Sequence, residues 1–208
     1  MQRLFLALSA FAVFTLSGCA SAPPPPPQFT ETASQELPPP PADKAQIVFL
    51  EPINSIQGMF PVGLFEVEGD KRTHLATTGS HTKAVLDFTP GHHLLMATQI
   101  GIRAHFLDIN VEAGKRYFVL VRFVYSNGFQ LRPLRTDGSS DYSIKNKDFP
   151  MWMAQTRIVE KTAASVEMFE THRERVTKTQ AEGWKAWNEK SQEQRAELTL
   201  NPADAVDL

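Results

Sequence analysis

The 208-residue sequence predicts a mainly β fold: an antiparallel β-sandwich of seven or eight strands followed by a C-terminal α-helical extension. Three patterns carry this expectation. From Gln46 to Pro133, turn residues recur every 9 to 13 residues between short apolar runs, the spacing of sandwich strands. Within those runs polar and apolar residues alternate, as they do in a strand with one wet face. From Ala154 to Leu198 there is no proline and only one glycine, Gly183, among good helix formers.

The turn signals place the strands. Gly69-Asp70 separates Val62–Glu68 from Arg72–Thr77, and Pro90-Gly91 separates Lys83–Thr89 from His92–Gln99. Pro followed by Gly suits the central positions of a type II turn, where glycine takes positive φ. Ala113-Gly114 lies between His105–Val111 and Arg116–Tyr125, and Asn127-Gly128 leads into Phe129–Pro133 as a two-residue hairpin signal. Leu107, Ile109 and Val111 share one face of their strand, with Asp108 and Asn110 opposite. Tyr117–Tyr125 is apolar on both faces, with Arg122 its only charge. That predicts a central strand whose second face is covered, and the C-terminal helix is the expected cover. In that helix Val159, Val166, Phe169, Val176, Trp184 and Trp187 recur at helical spacing. Gly183 marks a predicted kink, and the part after Thr171 is polar enough to project.

Ahead of the strands, Pro23 to Pro27 and Pro38 to Pro41 are unbroken proline runs that hold 9 of the 15 prolines. Such a segment favours polyproline II. The 24 residues from Ala20 to Asp43 would reach roughly 75 Å at that rise, which predicts a disordered spacer. The extreme N-terminus has a basic start at Arg3, an apolar run from Leu4 to Phe14, and Leu16-Ser17-Gly18-Cys19. These are the parts of a secretory signal, too short to span a bilayer as a helix. With a cysteine after the small residues, the segment resembles a bacterial lipoprotein signal. The resemblance implies that residues 1–18 are removed and that Cys19 is the lipid attachment site, carrying a diacylglyceryl thioether and an acylated amine. Ala20, rather than Asp, then favours the outer membrane, facing the periplasm.

A second resemblance rests on three blocks: Ala45-Gln46-Ile47-Val48-Phe49-Leu50, Leu86-Asp87-Phe88-Thr89-Pro90-Gly91-His92-His93-Leu94, and Val111-Glu112-Ala113-Gly114-Lys115-Arg116-Tyr117-Phe118. They resemble an uncharacterised family of small bacterial lipoprotein domains similar to PEGA and carboxypeptidase-regulatory domains. The resemblance spans Ala45 to Pro133 and implies a transthyretin-like or immunoglobulin-like sandwich. It carries no catalytic or ligand residue. The expected organisation is a signal over 1–18, lipidated Cys19 and linker over 19–43, and the sandwich over 44–135. A connector and helical extension follow over 136–200, with a disordered tail over 201–208.

Composition narrows the function. A formal net charge of -2 gives no global field for nucleic acid, so no nucleic-acid partner is expected. Cys19 is the only cysteine, which excludes an intrachain disulfide and thiolate zinc sites. No Gly-x-Ser-x-Gly elbow and no phosphate-binding glycine loop is present. Glu66 and Glu68 read as a solvated strand edge, and His74 and His172 as surface residues. His93 is placed to fix the Pro-Gly turn. His92 and His93 point to opposite faces of their strand, so a metal site would need His81, His105 and one of that pair to converge. Trp152, in Phe149-Pro150-Met151-Trp152-Met153, is expected to seal the junction of sandwich and helix. Trp184 and Trp187 have two readings: docking on their own domain, or contact with a partner, since exposed aromatics mark interfaces.

The function expected is a lipid-anchored, non-enzymatic binding or scaffold module of the cell envelope, with no cofactor beyond the lipid on Cys19. It would have an envelope protein as partner and Trp184 and Trp187 as possible contacts. The alternative is a small periplasmic metal-binding protein or hydrolase built on the strand and turn histidines.

Overall fold

A computed structural model of the protein describes residues 24–52 and 60–207. The fold is mainly β, with two sheets packed face to face and helices in the C-terminal part. The predicted signal and Cys19 lie outside the described residues.

Eight strands run from Ala45 to Pro133: β2 (Ala45–Glu51), β3 (Val62–Glu68), β4 (Lys71–Thr78), β5 (Thr82–Phe88), β6 (Gly91–Thr98), β7 (His105–Val111), β8 (Arg116–Val124) and β9 (Gly128–Pro133). Their ends follow the turn residues closely. Gly69 takes φ +59 at the β3–β4 turn and Gly91 takes φ +119 after Pro90. At the β8–β9 turn the positive φ values fall on Ser126 and Gly128 rather than on Asn127. Val124 pairs with Gly128, so the loop holds three residues, not two.

Three short strands from outside this block extend the sheets: β1 (Phe29–Glu31), β10 (Arg157–Lys161) and β11 (Thr199–Leu200). The first sheet has the order β1-β10-β5-β2-β8-β9 and the second β11-β7-β6-β3-β4. Neither is purely antiparallel as predicted. β2 runs parallel to β8, β10 to β5, and β11 to β7. The parallel pair β2–β8 lies inside the first sheet, between β5 and β9, and aligns Ile47 with Tyr117, Val48 with Phe118 and Phe49 with Val119. Both strands are apolar on both faces, as covered parallel strands are. Their inward set, including Ile47, Phe49, Tyr117, Val119 and Val121, meets Leu64, Leu95, Leu107 and Ile109 of the second sheet.

The outward set, Val48, Leu50, Phe118 and Leu120, is covered as the sequence predicts, but by a different segment. Tyr142 and Ile144 of the connector lie on it, with Phe149, Trp152 and Met153 of α1 (Phe149–Gln155) and Leu37 of the proline-rich segment. The Phe149–Met153 cluster thus seals β2 and β8. Buried Lys83 donates from Nζ to the Met153 carbonyl at 2.9 Å, closing α1 with a cation where a helix end favours one.

The predicted long helix is interrupted. Arg157–Lys161 is the strand β10, because the β-branched pair Ile158-Val159 finds an open edge on β5. The chain then forms α2 (Ala163–Thr171) and α3 (Arg173–Asn188), broken at His172, followed by α4 (Gln192–Ala196). Gly183 lies inside an unbroken α3. Its role is close approach: a Cβ there would sit 2.3 Å from the Ala104 carbonyl oxygen. Gly63 does the same for α2, since a Cβ would lie 2.5 Å from the Phe169 ring. Phe169, Val176 and Trp187 pack on Phe65, Val67, Met96 and Phe106 of the second sheet. The part after Thr171 therefore docks along the sheet rather than projecting.

Both segments expected to be disordered are docked where they are described. β1 pairs with β10, and the Arg116 guanidinium donates to the Pro38 carbonyl. In the predicted tail, Pro202–Asp204 forms a 3-10 turn. The buried Asp204 carboxylate accepts from Arg135 Nη1 at 2.6 Å and from the Asn201 amide at 2.9 Å. The Val206 amide donates to the Arg116 carbonyl at 2.9 Å. These contacts turn nominally loose polar chain into part of the β8 cover.

Candidate functional site

A cleft of about 760 Å³ lies between the β3–β4 hairpin and α3, within the ~300–1,000 Å³ range of ligand pockets. Val67 of β3 and Leu94 of β6 give it an apolar floor, and the Gly69-Asp70 turn and Arg72 form one rim. The opposite wall is one face of α3, with Arg173, Thr177, Ala181 and Trp184 at spacings of four, four and three. Arg72 ties hairpin to helix, donating to Gln180 Oε1 at 2.7 Å and Thr177 Oγ1 at 3.0 Å. Burial lowers its pKa from the usual guanidinium range, and the neighbouring Arg173 charge adds to this while Glu170 opposes it. Arg72 stays charged in any case, as guanidinium does in proteins. Its bonding partners are neutral, and among the described residues it forms no ion pair.

The two tryptophans of α3 part company here. Trp187 is 8% exposed and packs near the Phe106 ring at 6.3 Å between centroids. It belongs to the core and is closed to a partner. Trp184 is 44% exposed, touches Phe106 edge-on at 5.3 Å, and lines the cleft. Three residues apart, they differ by about 60° around the helix axis. That angle separates a sheet-facing side chain from a rim side chain, and the spacing in the sequence did not resolve it.

The histidines are dispersed. His93 holds the Pro90-Gly91 turn as expected, with Nε2 2.8 Å from the Thr89 carbonyl oxygen. Its Nδ1 lies 2.5 Å from Glu66 Oε1, so Glu66 is paired rather than a solvated edge. His74 is not a surface residue: it stacks on Phe65 and abuts Phe169 at 4.9 Å each. Burial and the nearby Lys161 charge lower its pKa to about 4, which keeps the ring neutral. His105 Nε2 meets the Asn127 carbonyl oxygen at 2.7 Å, and burial lowers its pKa as well. His172 Nδ1 lies 2.8 Å from the Met168 carbonyl oxygen at the α2–α3 joint. Among the described residues no group of three or more His, Cys, Asp or Glu side chains is arranged to hold a metal ion.

One buried titratable group had no signal in the sequence. Glu51 ends β2 on the face that Ala45, Ile47 and Phe49 turn to the inter-sheet core, and it is fully buried. Among the described residues neither carboxylate oxygen has a hydrogen-bond partner. Burial pushes its pKa up to about 8, which the nearby Thr78 hydroxyl offsets only in part.

No family model matches this chain, and no relative is found among curated proteins. Among the described residues no helix is long and apolar enough to cross a membrane.

Proposed function

We propose that the protein is a lipid-anchored lipoprotein of the bacterial cell envelope, held in the outer membrane through Cys19. There it acts in the periplasm as a non-enzymatic binding or scaffold module. Its two-sheet body corresponds, on this reading, to the transthyretin-like sandwich that the turn motifs resemble, elaborated by extra edge strands and helices. The contact surface is the cleft between the β3–β4 hairpin and α3, and its partner is an envelope protein. The observation that carries the reading is the half-exposed Trp184 on the rim of that cleft. An amphipathic ring supported from behind by Phe106 and flanked by an arginine already fixed in place is the composition that protein contacts favour. Trp187, expected as a second contact, has no part in it because it is core.

Photo-crosslinking in the native cells tests this. A crosslinker at Trp184 or Ala181, inside the cleft, is expected to capture one dominant envelope protein. One at Glu182, on another face of α3, is expected to capture none. Arg72→Ala should abolish capture while the melting temperature stays close to that of the parent. Equal capture from all three positions, or from none in abundant folded protein, overturns the cleft as the contact surface.

A further inference from the structure

We propose that the β1–β10 edge, with the N-terminus of α2, is the face this protein turns toward the lipid surface. The inference rests on the lipoprotein reading and adds an orientation to it. It starts from where the proline-rich segment meets the body. Thr162, the N-cap of α2, accepts from the Ser165 amide and donates its hydroxyl to the Pro27 carbonyl at 2.7 Å. The next residues form β1, in register with β10 from Phe29 opposite Lys161 to Glu31 opposite Val159. The Thr32 amide then donates to the Ile158 carbonyl at 2.9 Å. Gln35 grips the same residue from both sides: its Oε1 accepts from the Ile158 amide at 2.7 Å and its Nε2 donates to the Ile158 carbonyl at 3.2 Å. Glu31 faces Arg157 across the pair at 3.2 Å.

The tether is therefore short. From Cys19 to Pro27 there are eight residue steps, which span at most about 29 Å fully extended and about 25 Å as polyproline II. The roughly 75 Å reach expected of the whole segment is spent only if β1 leaves β10. Across the first sheet, β9 lies five strand positions from β1, about 24 Å away at ordinary strand spacing. The turn between β8 and β9, with Tyr125 83% exposed, is thus on the side remote from the anchor. A lipid held at Cys19 keeps the Pro27 end of the β1–β10 edge within about 29 Å of the bilayer, and leaves the β9 edge free to lie farther off by about the 24 Å width of the sheet.

Energy transfer in the mature full-length protein reads this out. The mass of the mature chain is measured first: acyl groups on Cys19 are the premise, and a chain without them ends both the lipoprotein reading and this orientation. With the anchor present, a donor dye is placed by Val166→Cys, one turn into α2, or by Tyr125→Cys. The protein is reconstituted in vesicles of phosphatidylethanolamine and phosphatidylglycerol carrying an acceptor-labelled lipid. Transfer from position 166 is expected to exceed that from position 125 several-fold. Gln35→Ala with Thr162→Ala, which releases the clamp, should bring the two positions toward a common low value. Equal transfer in the unaltered clamp, or stronger transfer from position 125, overturns the orientation while the anchor stands.

Discussion

Over the outer face of the second sheet lie two helices seated on glycines, whereas over the outer face of β2 and β8 lies one short helix amid irregular chain. The helical cover is held by large buried rings, with Phe169 against Gly63 and Phe65, and Trp187 beside Phe106. The irregular cover is held by backbone pairing and by side chains that reach across from distant parts of the sequence, such as Lys83 to Met153 and Arg116 to Pro38. The difference shows how a two-sided strand can be closed. Periodic apolar sequence supplies a helix that buries much area at once. Sequence without periodicity closes the same kind of surface through many separate small contacts. The first cover should be sensitive to volume, and the second to loss of individual hydrogen bonds.

That contrast can be broken at named positions. Phe169→Ala should cost the most, about 4 kcal/mol, from lost burial and the cavity left behind. Chemical denaturation measures it, and a loss under half that size would remove the distinction between the two covers. Glu51 probes the core that both sheets share. Its folded pKa of about 8 lies above the unfolded value, so the folded chain keeps a proton that the unfolded chain releases. Its contribution to stability should then be fully present below the ordinary carboxyl range and fall between that range and about pH 8, by up to about 1.4 kcal/mol per pH unit. Glu51→Gln should flatten that slope, as urea midpoints across the range would reveal. Gly63→Ala should cost about 2 kcal/mol through overpacking, and Phe169→Leu added to it should return part of the loss. A purely additive double variant would contradict direct contact. Gln35→Ala should cost about 1 kcal/mol. It should speed amide exchange in β1 and β10 while α2 and α3 stay protected.

What could be read in advance follows the same division. The eight strands from Ala45 to Pro133 were legible because alternation and turn chemistry are local. The need for a cover over Phe118 and Leu120 was legible because their strand has no polar face. Which segment supplied the cover was not, since Leu37 and Ile144 lie far from β8 in the sequence and carry no pattern. Val159 was read into a helical stripe because only the vacant edge of β5 makes Ile158-Val159 a strand. At the cleft, Trp184 was found from its residue type. Arg72 was missed because its partners, Thr177 and Gln180, lie more than 100 residues away. The docking of Gln28 to Pro41 was missed because polyproline composition describes a chain's stiffness and not what it leans on.

Arg116 holds two segments far apart in the sequence, Pro38 through its guanidinium and Val206 through its carbonyl. Synthesis runs from N- to C-terminus, so the Arg116 carbonyl waits for Val206, made 90 residues later, before this contact can form. One side chain and its own backbone thus join two segments that leave the ribosome 168 residues apart.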